Sequence, residues 1–190
     1  MERKADHEIH ELFLRRWSSR AMNGEALSER ALMQVLEAAR WAPSSANGQP
    51  WRFIYALPGT DSFERFFNLL AEGNKAWSAR AGALLVMVSK KTFDDGRPAR
   101  THNFDTGAAW MCMALQAALL GLVAHGMAGF NYDLARTELA VPDDYDVEAM
   151  VALGYPGSVD ALPEAYRARE MPSGRRPIRE SVFEGKFGSV

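Results

Sequence analysis

Residues 42–53 read Ala42-Pro43-Ser44-Ser45-Ala46-Asn47-Gly48-Gln49-Pro50-Trp51-Arg52-Phe53. This stretch follows a run with helical periodicity, Leu27 to Trp41, and leads into an alternating aromatic run, Trp51 to Leu57, that is typical of a β-strand. A connection that only reverses the chain needs little more than a glycine and a proline. Here the prolines stiffen the backbone while serine, asparagine and glutamine supply many hydrogen-bonding groups. The stretch therefore predicts a surface built for a polar ligand.

Outward from this stretch, helices alternate with about four strands. The apolar periodicity predicts helices at Glu8–Arg16, Leu27–Trp41 (capped by Ser28), Asp61–Ala71, Asn74–Arg80, Phe104–Val123 (ended with the help of Gly126) and Asp133–Leu139. It predicts strands at Trp51–Leu57, Ala83–Ser89 (central), Met127–Phe130 (short strand or loop) and Val147–Leu153. Lys90–Asn103 is predicted as a surface loop, and the tail from Ser158 as irregular. Because the connections are uneven, a mixed α+β fold suits this order better than a regular parallel α/β sheet.

Length and charge narrow the class of protein. The 190 residues show no break in composition, so we expect one domain over 1–190. A formal net charge of −2 gives no overall basic field, which argues against nucleic acid as the main partner. The apolar run from Thr106 to Ala124 is rich in small residues and is interpreted as a buried helix, so no membrane association is expected.

The compartment is predicted from two features. The charged N-terminus has no apolar segment of signal-peptide length after it, so no secretion signal is expected. The single cysteine, Cys112, lies among apolar residues and is interpreted as a small buried hydrophobe in a reducing compartment. A cytoplasmic protein is therefore expected.

Common catalytic motifs are missing from the sequence. There is no G-x-G-x-x-G and no G-K-[ST], so nothing marks a dinucleotide fold or an NTPase. His7, His10 and Glu11 have metal-ligand spacing, but they are interpreted as one face of a solvated N-terminal helix. Ser44-Ser45 lacks the context of a nucleophile elbow. Neither a metal site nor a catalytic side chain is predicted.

Separated polar clusters remain at Arg16–Arg20, Pro43–Gln49, Asn74 and Arg175-Arg176. Arginine forks and serine hydroxyls suit a phosphate, while asparagine and glutamine amides suit the edge of a heterocycle. Together they indicate a phosphorylated ring compound. The alternative is that the arginines are solvated surface charges and the loop is only a rigid turn.

An ordered set of motifs resembles the nitroreductase family of FMN enzymes over nearly the whole chain. The matching pieces are Arg16-x-Ser18-x-Arg20, the 42–53 stretch, the Asp105-x-Gly107 start of a long Ala-rich helix ending Leu120-Gly121-Leu122, Gly129-Phe130, Gly154-Tyr155-Pro156 and Arg175-Arg176-Pro177. The chain resembles the compact members, which lack a long insertion before the central helix. The resemblance implies a nitroreductase-like α+β fold with a central mixed, mainly antiparallel sheet flanked by helices. It also implies a homodimer with the long helix at the interface.

The resemblance further implies two FMN sites shared between subunits. One subunit would supply the Arg16, Trp17, Ser18 and Arg20 segment, with Arg16 on the phosphate and Arg20 near the flavin pyrimidine. The partner would supply Pro43, Ser44, Ser45 and Asn47. Asn74 matches a position at the pyrimidine edge, Arg175 matches a tail position at the phosphate, and backbone N–H groups of Ala128 and Gly129 would face flavin N5 and O4.

The implied activity is an FMN-dependent oxidoreductase. Hydride would pass from NAD(P)H through flavin N5 to an electron-poor acceptor such as a nitroaromatic or quinone, by a two-step exchange at one site. Three alternatives stay open: a family variant that reduces another small molecule, for example by reductive dehalogenation; a flavin-binding or flavin-sensing protein without turnover; and a structural α+β domain.

Two departures from the family pattern concern polar contacts with the flavin. Some relatives have Glu where Ala128 stands, and Lys where Trp77 and Ser173 stand. Trp77 is interpreted as a core aromatic, and Trp110, Met111 and Met113 as helix packing. His125 is interpreted as a helix C-terminal residue favoured by the helix dipole.

Overall fold

A four-stranded sheet forms the centre of the computed structural model, which describes residues 3–189. The ends of the expected domain, Met1, Glu2 and Val190, lie outside the described residues. The strands are β1 (Trp51–Ala56), β2 (Ala83–Lys90), β3 (Val123–Met127) and β4 (Tyr145–Gly154). Their order is β1-β2-β4-β3, and every pair of neighbours is antiparallel. The predicted α+β fold with a mainly antiparallel sheet is confirmed, although these four strands contain no parallel pair.

Strand β2 is central because both of its faces are covered. Leu84, Val86 and Val88 point into one hydrophobic core, and Leu85 and Met87 point into the other. A strand buried on both faces has no polar side to alternate with, which explains the continuous apolar run seen in the sequence. A β-bulge between Met87 and Val88 shifts the register against β4.

Seven α-helices surround the sheet in the described residues. They are α1 (Glu11–Arg15), α2 (Glu29–Arg40), α3 (Asp61–Leu69), α4 (Glu72–Ser78), α5 (His102–Leu119), α6 (Tyr132–Glu138) and α7 (Glu164–Arg167). Helices α2 and α5 contribute to one core, and α3, α4 and α6 to the other. Ser28 caps α2 as predicted, since its hydroxyl accepts from the Ala31 N–H at 3.2 Å.

The first helix is shorter than predicted. The His10 ring nitrogen Nδ1 accepts from the Leu12 N–H at 3.1 Å and so acts as the cap, which leaves residues 8–10 outside α1. Of the apolar residues in this segment, Leu12 is buried, while Ile9 and Phe13 are exposed in the single chain.

The end of α5 also differs from the prediction of a helix to Val123. Gly121 takes a left-handed φ of 71°, and the Leu122 N–H donates to the Ala117 carbonyl at 2.8 Å. This is a Schellman end, in which a glycine just past the cap reverses the chain. Gly121 therefore ends the helix instead of Gly126, and Val123 begins β3.

Two smaller predictions on α5 also change. Cys112 is only partly buried, so its interpretation as a buried hydrophobe is wrong. Met113 packs in the core as expected, Trp110 is partly buried against it, and Met111 is exposed in the single chain. Within residues 3–189 no helix is long and apolar enough to cross a membrane.

Candidate functional site

The segment Arg16–Arg20 is held in place by a carboxylate from the far end of the chain. The Ser19 hydroxyl donates to Glu170, as do the Arg20 N–H at 2.7 Å and the Ala21 N–H at 3.0 Å. The Glu170 side chain is 0% exposed, and its second oxygen lies 3.8 Å from Arg20 Nη1. A buried carboxylate with three donors fixes the backbone that carries the arginines. Sequence reasoning missed Glu170, because nothing local marks a partner about 150 positions away.

A cavity of about 330 Å³ opens beside this segment. It gathers five of the predicted site residues, which come from both ends of the chain. Its lining consists of Arg3, Arg16, Trp17, Ser18, Arg20, His125, Arg169, Met171, Ser173 and Arg175. We call it the cationic cavity, because five of these ten residues are arginines.

The charge of the cationic cavity is uncompensated around Arg16. Among the described residues, the Arg16 guanidinium makes no hydrogen bond or ion pair with a protein group. Burial, and then the neighbouring Arg3 and Arg175, lower the pKa of Arg16. Burial and then Arg175 lower the pKa of Arg3 in the same way. Like charges held together without a carboxylate favour an anion, and guanidinium forks match the oxygens of a phosphate.

A second cavity of about 390 Å³ adjoins the first, because Ser18 lines both. We call it the ring cavity. Its lining is mostly apolar or small and consists of Ser18, Met87, Asn103, Thr106, Gly107, Trp110, Gly126, Met127, Ala128, Glu148 and Ala149. An extra Cβ on Gly126 would lie 3.1 Å from the Trp110 ring, so glycine keeps this wall thin. An apolar cavity beside a cationic one suits a flat ring that carries a phosphate.

A short turn after β3 brings three predicted residues together. The Gly129 carbonyl accepts from the Ala71 N–H and from Asn74 Nδ2, both at 2.9 Å. A Cβ on Gly129 would stand 2.8 Å from Asn74 Nδ2, so a side chain at this position would displace the Asn74 amide. The Asn74 amide nitrogen is thus used in a hydrogen bond within the turn, which leaves the amide oxygen to accept a hydrogen bond from a ligand. Ala128 and Gly129 are both exposed.

The 43–49 loop lies apart from these cavities within the chain. The Ser45 N–H donates to Asp105 Oδ2 at 3.1 Å, and the Gln49 N–H donates to the Ser44 hydroxyl at 3.0 Å. Asn47 lines a different groove, next to Arg52 and Phe93. In the described residues, neither the cationic cavity nor the ring cavity includes Pro43, Ser44, Ser45 or Asn47.

His125 lies on β3, so its interpretation as a helix C-terminal residue is wrong. Its Nδ1 lies 3.1 Å from the Ser19 carbonyl oxygen, and its ring lies 4.6 Å from the Trp77 ring. Burial is the main cause that lowers the pKa of His125, and the Arg20 charge acts in the same direction. Trp77 is buried in the core, as interpreted. The cationic cavity therefore has a neutral imidazole in its wall.

Among residues 3–189 no group of three or more histidine, cysteine, aspartate or glutamate side chains is arranged to hold a metal ion. The candidate site combines an arginine-rich cavity with a cavity lined mostly by apolar or small residues. Such a pair suits an anionic ring compound.

Comparisons with known proteins agree with this picture. The sequence matches the profile of the nitroreductase family over residues 14–76 and 58–155. A Streptomyces coelicolor protein named as an NADH dehydrogenase/NAD(P)H nitroreductase is 29% identical over 158 residues, which cover 72% of this chain and 77% of that protein.

Two solved structures extend the likeness to the fold. A crystal structure of an oxidoreductase containing FMN has a TM-score of 0.94 and 42% identity, and covers 99% of this chain and 97% of the other. A Desulfovibrio desulfuricans protein, described as a nitroreductase in complex with FMN, has a TM-score of 0.74 and 26% identity, with 93% and 96% covered.

Proposed function

The chain belongs to the nitroreductase family, and on that premise we propose that it is an FMN-dependent oxidoreductase. NAD(P)H would be its electron donor, in line with the name of the Streptomyces relative, and an electron-poor nitroaromatic or quinone its acceptor. The observation that carries the proposal is the junction at Ser18 of a cationic cavity and a largely apolar one. We further propose that the protein acts in the cytoplasm. Residues 1–190 would form one FMN-binding domain.

The residues present fit FMN by the chemistry of their donors. Arg16 and Arg175 would hold the phosphate, since the Arg16 guanidinium has no protein partner in the described residues and sits among like charges. Trp17 and Ser18 continue the same wall toward the ring cavity. Asn74 would offer its free amide oxygen to the pyrimidine edge, while the exposed N–H groups of Ala128 and Gly129 would face N5 and O4.

Arg20 would act on the electronics of the cofactor. FMN, when bound, supplies the site that accepts hydride from the donor and returns it to the acceptor. The reduced flavin carries negative charge near N1 and O2, and a guanidinium fixed there stabilises that charge. The Glu170 carboxylate anchors Arg20 by its backbone N–H and lies 3.8 Å from its side chain, so the cation stays at the rim of the cavity.

We further propose that the site is completed by a second copy of the chain. The loop residues Pro43, Ser44, Ser45 and Asn47 would contact the partner's FMN, because none of them lines their own chain's cationic cavity. Exposed apolar side chains on and near α1 and α5 support a homodimer with α5 at its interface. Phe104 is 79% exposed, and Ile9, Phe13 and Met111 are exposed as well.

The test is the absorption spectrum of the purified protein, its mass by light scattering and its NAD(P)H oxidation. We expect a yellow protein with one FMN per chain, a mass of two chains, and NADH or NADPH oxidation when a quinone is added. A colourless protein that does not take up FMN would contradict the proposal. Tight FMN binding without NAD(P)H oxidation would favour a flavin-binding protein instead.

A further inference from the structure

Beside the ring cavity, four polar side chains that the proposed function has not used lie in a line. The Ser89 hydroxyl donates to Glu148 Oε1, and the Ser89 Oγ itself lies 2.7 Å from His102 Nδ1. The other ring nitrogen, His102 Nε2, lies 3.9 Å from Asp146 Oδ2. Since the Ser89 proton is directed to Glu148, the His102 Nδ1–H is the donor to Ser89. Hydrogen bonds thus connect His102 through Ser89 to Glu148, while Asp146 lies beyond hydrogen-bond distance of the ring.

The two ends of the line face different surroundings. Asp146 is 41% exposed and is shared with Lys91 at 3.7 Å and Arg136 at 3.9 Å, so its end meets solvent. Ser89 in the middle is 0% exposed. Glu148 at the other end lines the ring cavity. Because Ser89 is sealed from any substrate, it cannot act as the nucleophile of a Ser-His-Asp triad.

Within the ring cavity, Glu148 is the single ionisable side chain among the lining residues that the structure describes. Asn103 Nδ2 holds its second oxygen at 3.4 Å. Thr106, which lines the same cavity, is 2% exposed and its Oγ1 has no partner among the described atoms. A buried hydroxyl without a partner indicates that a polar ligand completes the cavity.

We propose that Glu148 is the proton donor for the acceptor in the ring cavity, and that Asp146, His102 and Ser89 reload it from solvent. The inference rests on the proposed function, which supplies the hydride. For a quinone, one hydride from the reduced cofactor and one proton from Glu148 give the hydroquinone. The O–H bond of Glu148 breaks, an O–H bond of the acceptor forms, and the carboxylate regains its proton through Ser89 as His102 gives up the proton on Nδ1 and takes one from solvent at Nε2, on the side of Asp146. Two electrons and two hydrogens are thereby accounted for.

The experiment compares two acceptors in anaerobic stopped-flow oxidation of the reduced protein. Benzoquinone needs a proton with its electrons, whereas ferricyanide takes electrons alone. In Glu148→Gln we expect the ratio of the benzoquinone rate to the ferricyanide rate to fall at least tenfold, in the range of general acid catalysis. The solvent deuterium isotope effect on benzoquinone should shrink as well. Ser89→Ala, which keeps the carboxyl group, should leave this ratio unchanged in the first turnover but lower the ratio of the two steady-state rates, because reloading is needed only from the second turnover on.

A matched control is Glu138→Gln, at an exposed glutamate on α6, which should keep the wild-type ratio. An equal loss with both acceptors in Glu148→Gln would assign Glu148 to positioning the cofactor and overturn the proposal, as would an unchanged ratio. Failure of the wild-type protein to oxidise NAD(P)H with either acceptor would instead contradict the proposed function.

A readout without cofactor comes from proton NMR of the protein before FMN is added. The His102 Nδ1–H bonded to a sealed hydroxyl should give a downfield ring signal that is protected from exchange with water. Ser89→Ala should abolish or move it, while Glu138→Gln leaves it in place. A wild-type spectrum without this signal would show that the line is not formed and would overturn the relay.

Discussion

Two polar segments of the chain, the cationic Arg16–Arg20 and the uncharged 43–49 loop, are placed differently relative to the cationic cavity. Arg16–Arg20 is fixed by Glu170 and lines its own chain's cationic cavity. The 43–49 loop is fixed by Asp105 from behind and faces a different groove. The residue types of a segment therefore indicate the kind of ligand it binds. Its position in the molecule depends on the distant carboxylate that holds its backbone, Glu170 for one segment and Asp105 for the other.

The anchors also differ in strength. Glu170 is a buried carboxylate that accepts from the Ser19 hydroxyl and from the Arg20 and Ala21 N–H groups. Asp105, also buried, accepts from the Ser45 N–H and from the Thr101 hydroxyl at 3.2 Å. We therefore expect the arginine segment to depend more on its anchor than the loop does on Asp105.

The largest effect is expected at the stronger anchor. Glu170→Ala leaves the Ser19 hydroxyl and the Arg20 N–H without an acceptor and removes the carboxylate beside the Arg20 guanidinium, and should lower the free energy of unfolding by about 3 kcal/mol. Urea denaturation of the purified variant measures it. Glu164→Ala, at an exposed position of α7, is the control and should stay within about 0.5 kcal/mol of wild type. Equal stability of the two variants would show that Glu170 does not anchor the segment.

A second prediction tests whether the 43–49 loop contacts the FMN of its own chain or that of the partner. Arg16→Ala should weaken FMN binding about 10- to 100-fold, the loss of a charge-assisted contact to the phosphate. Asn47→Asp keeps the shape of the side chain but puts a negative charge near the anionic cofactor, and should weaken binding about tenfold. FMN fluorescence titration measures both. Arg15→Ala, exposed at the end of α1, is the control and should bind FMN like wild type.

Mixed dimers, with Arg16→Ala in one chain and Asn47→Asp in the other, distinguish a loop that contacts the partner's FMN from a loop that contacts the FMN of its own chain. If the loop serves the partner, one site of each mixed dimer carries both changes and the other carries neither, so half of the FMN binds with wild-type affinity. If the loop serves its own chain, each site carries one change and no site binds like wild type. The second result would contradict the shared site.

The smallest effect is expected for the pH dependence of stability that arises from His125, whose ring contacts the arginine segment at the Ser19 carbonyl. Burial lowers the pKa of His125 in the folded chain, so the unfolded chain takes up this proton first as the pH falls. The free energy of unfolding should therefore decrease as the pH drops below about 6.5, the ordinary pKa of histidine. His125→Gln should show a smaller decrease between pH 7.5 and 5.5 in urea denaturation. The exposed His7→Gln is the control, and an unchanged slope in His125→Gln would contradict the assignment.

Much of the fold follows from local patterns in the sequence. The central strand is predicted because its apolar run is continuous, and the Ser28 cap because a hydroxyl precedes a periodic run. The predicted end of the long helix at Val123 is wrong, because an apolar run does not reveal that Gly121 reverses the chain before an equally apolar strand. His125 was misplaced for the same reason.

The site was predictable only where its residues cluster along the chain or match the family pattern. Arg16, Trp17, Ser18, Arg20 and Arg175 do meet in one cavity. Glu170 and the line from Asp146 to Glu148 were missed, because their partners lie far away in sequence or on alternate residues of a strand. Such pairs become visible only when strands are in register.

The backbone of the 43–49 loop has one more consequence. Ala46, Asn47 and Gln49 adopt φ angles of 50°, 54° and 44°, a region that costs a residue with a side chain of the order of 1 kcal/mol. The sequence of the loop alone therefore does not determine its conformation, which depends on hydrogen bonds to the Ser44 hydroxyl and to Asp105 on α5. A synthetic peptide of these residues, or a graft of them onto another scaffold, would transfer the side chains without the conformation that presents them.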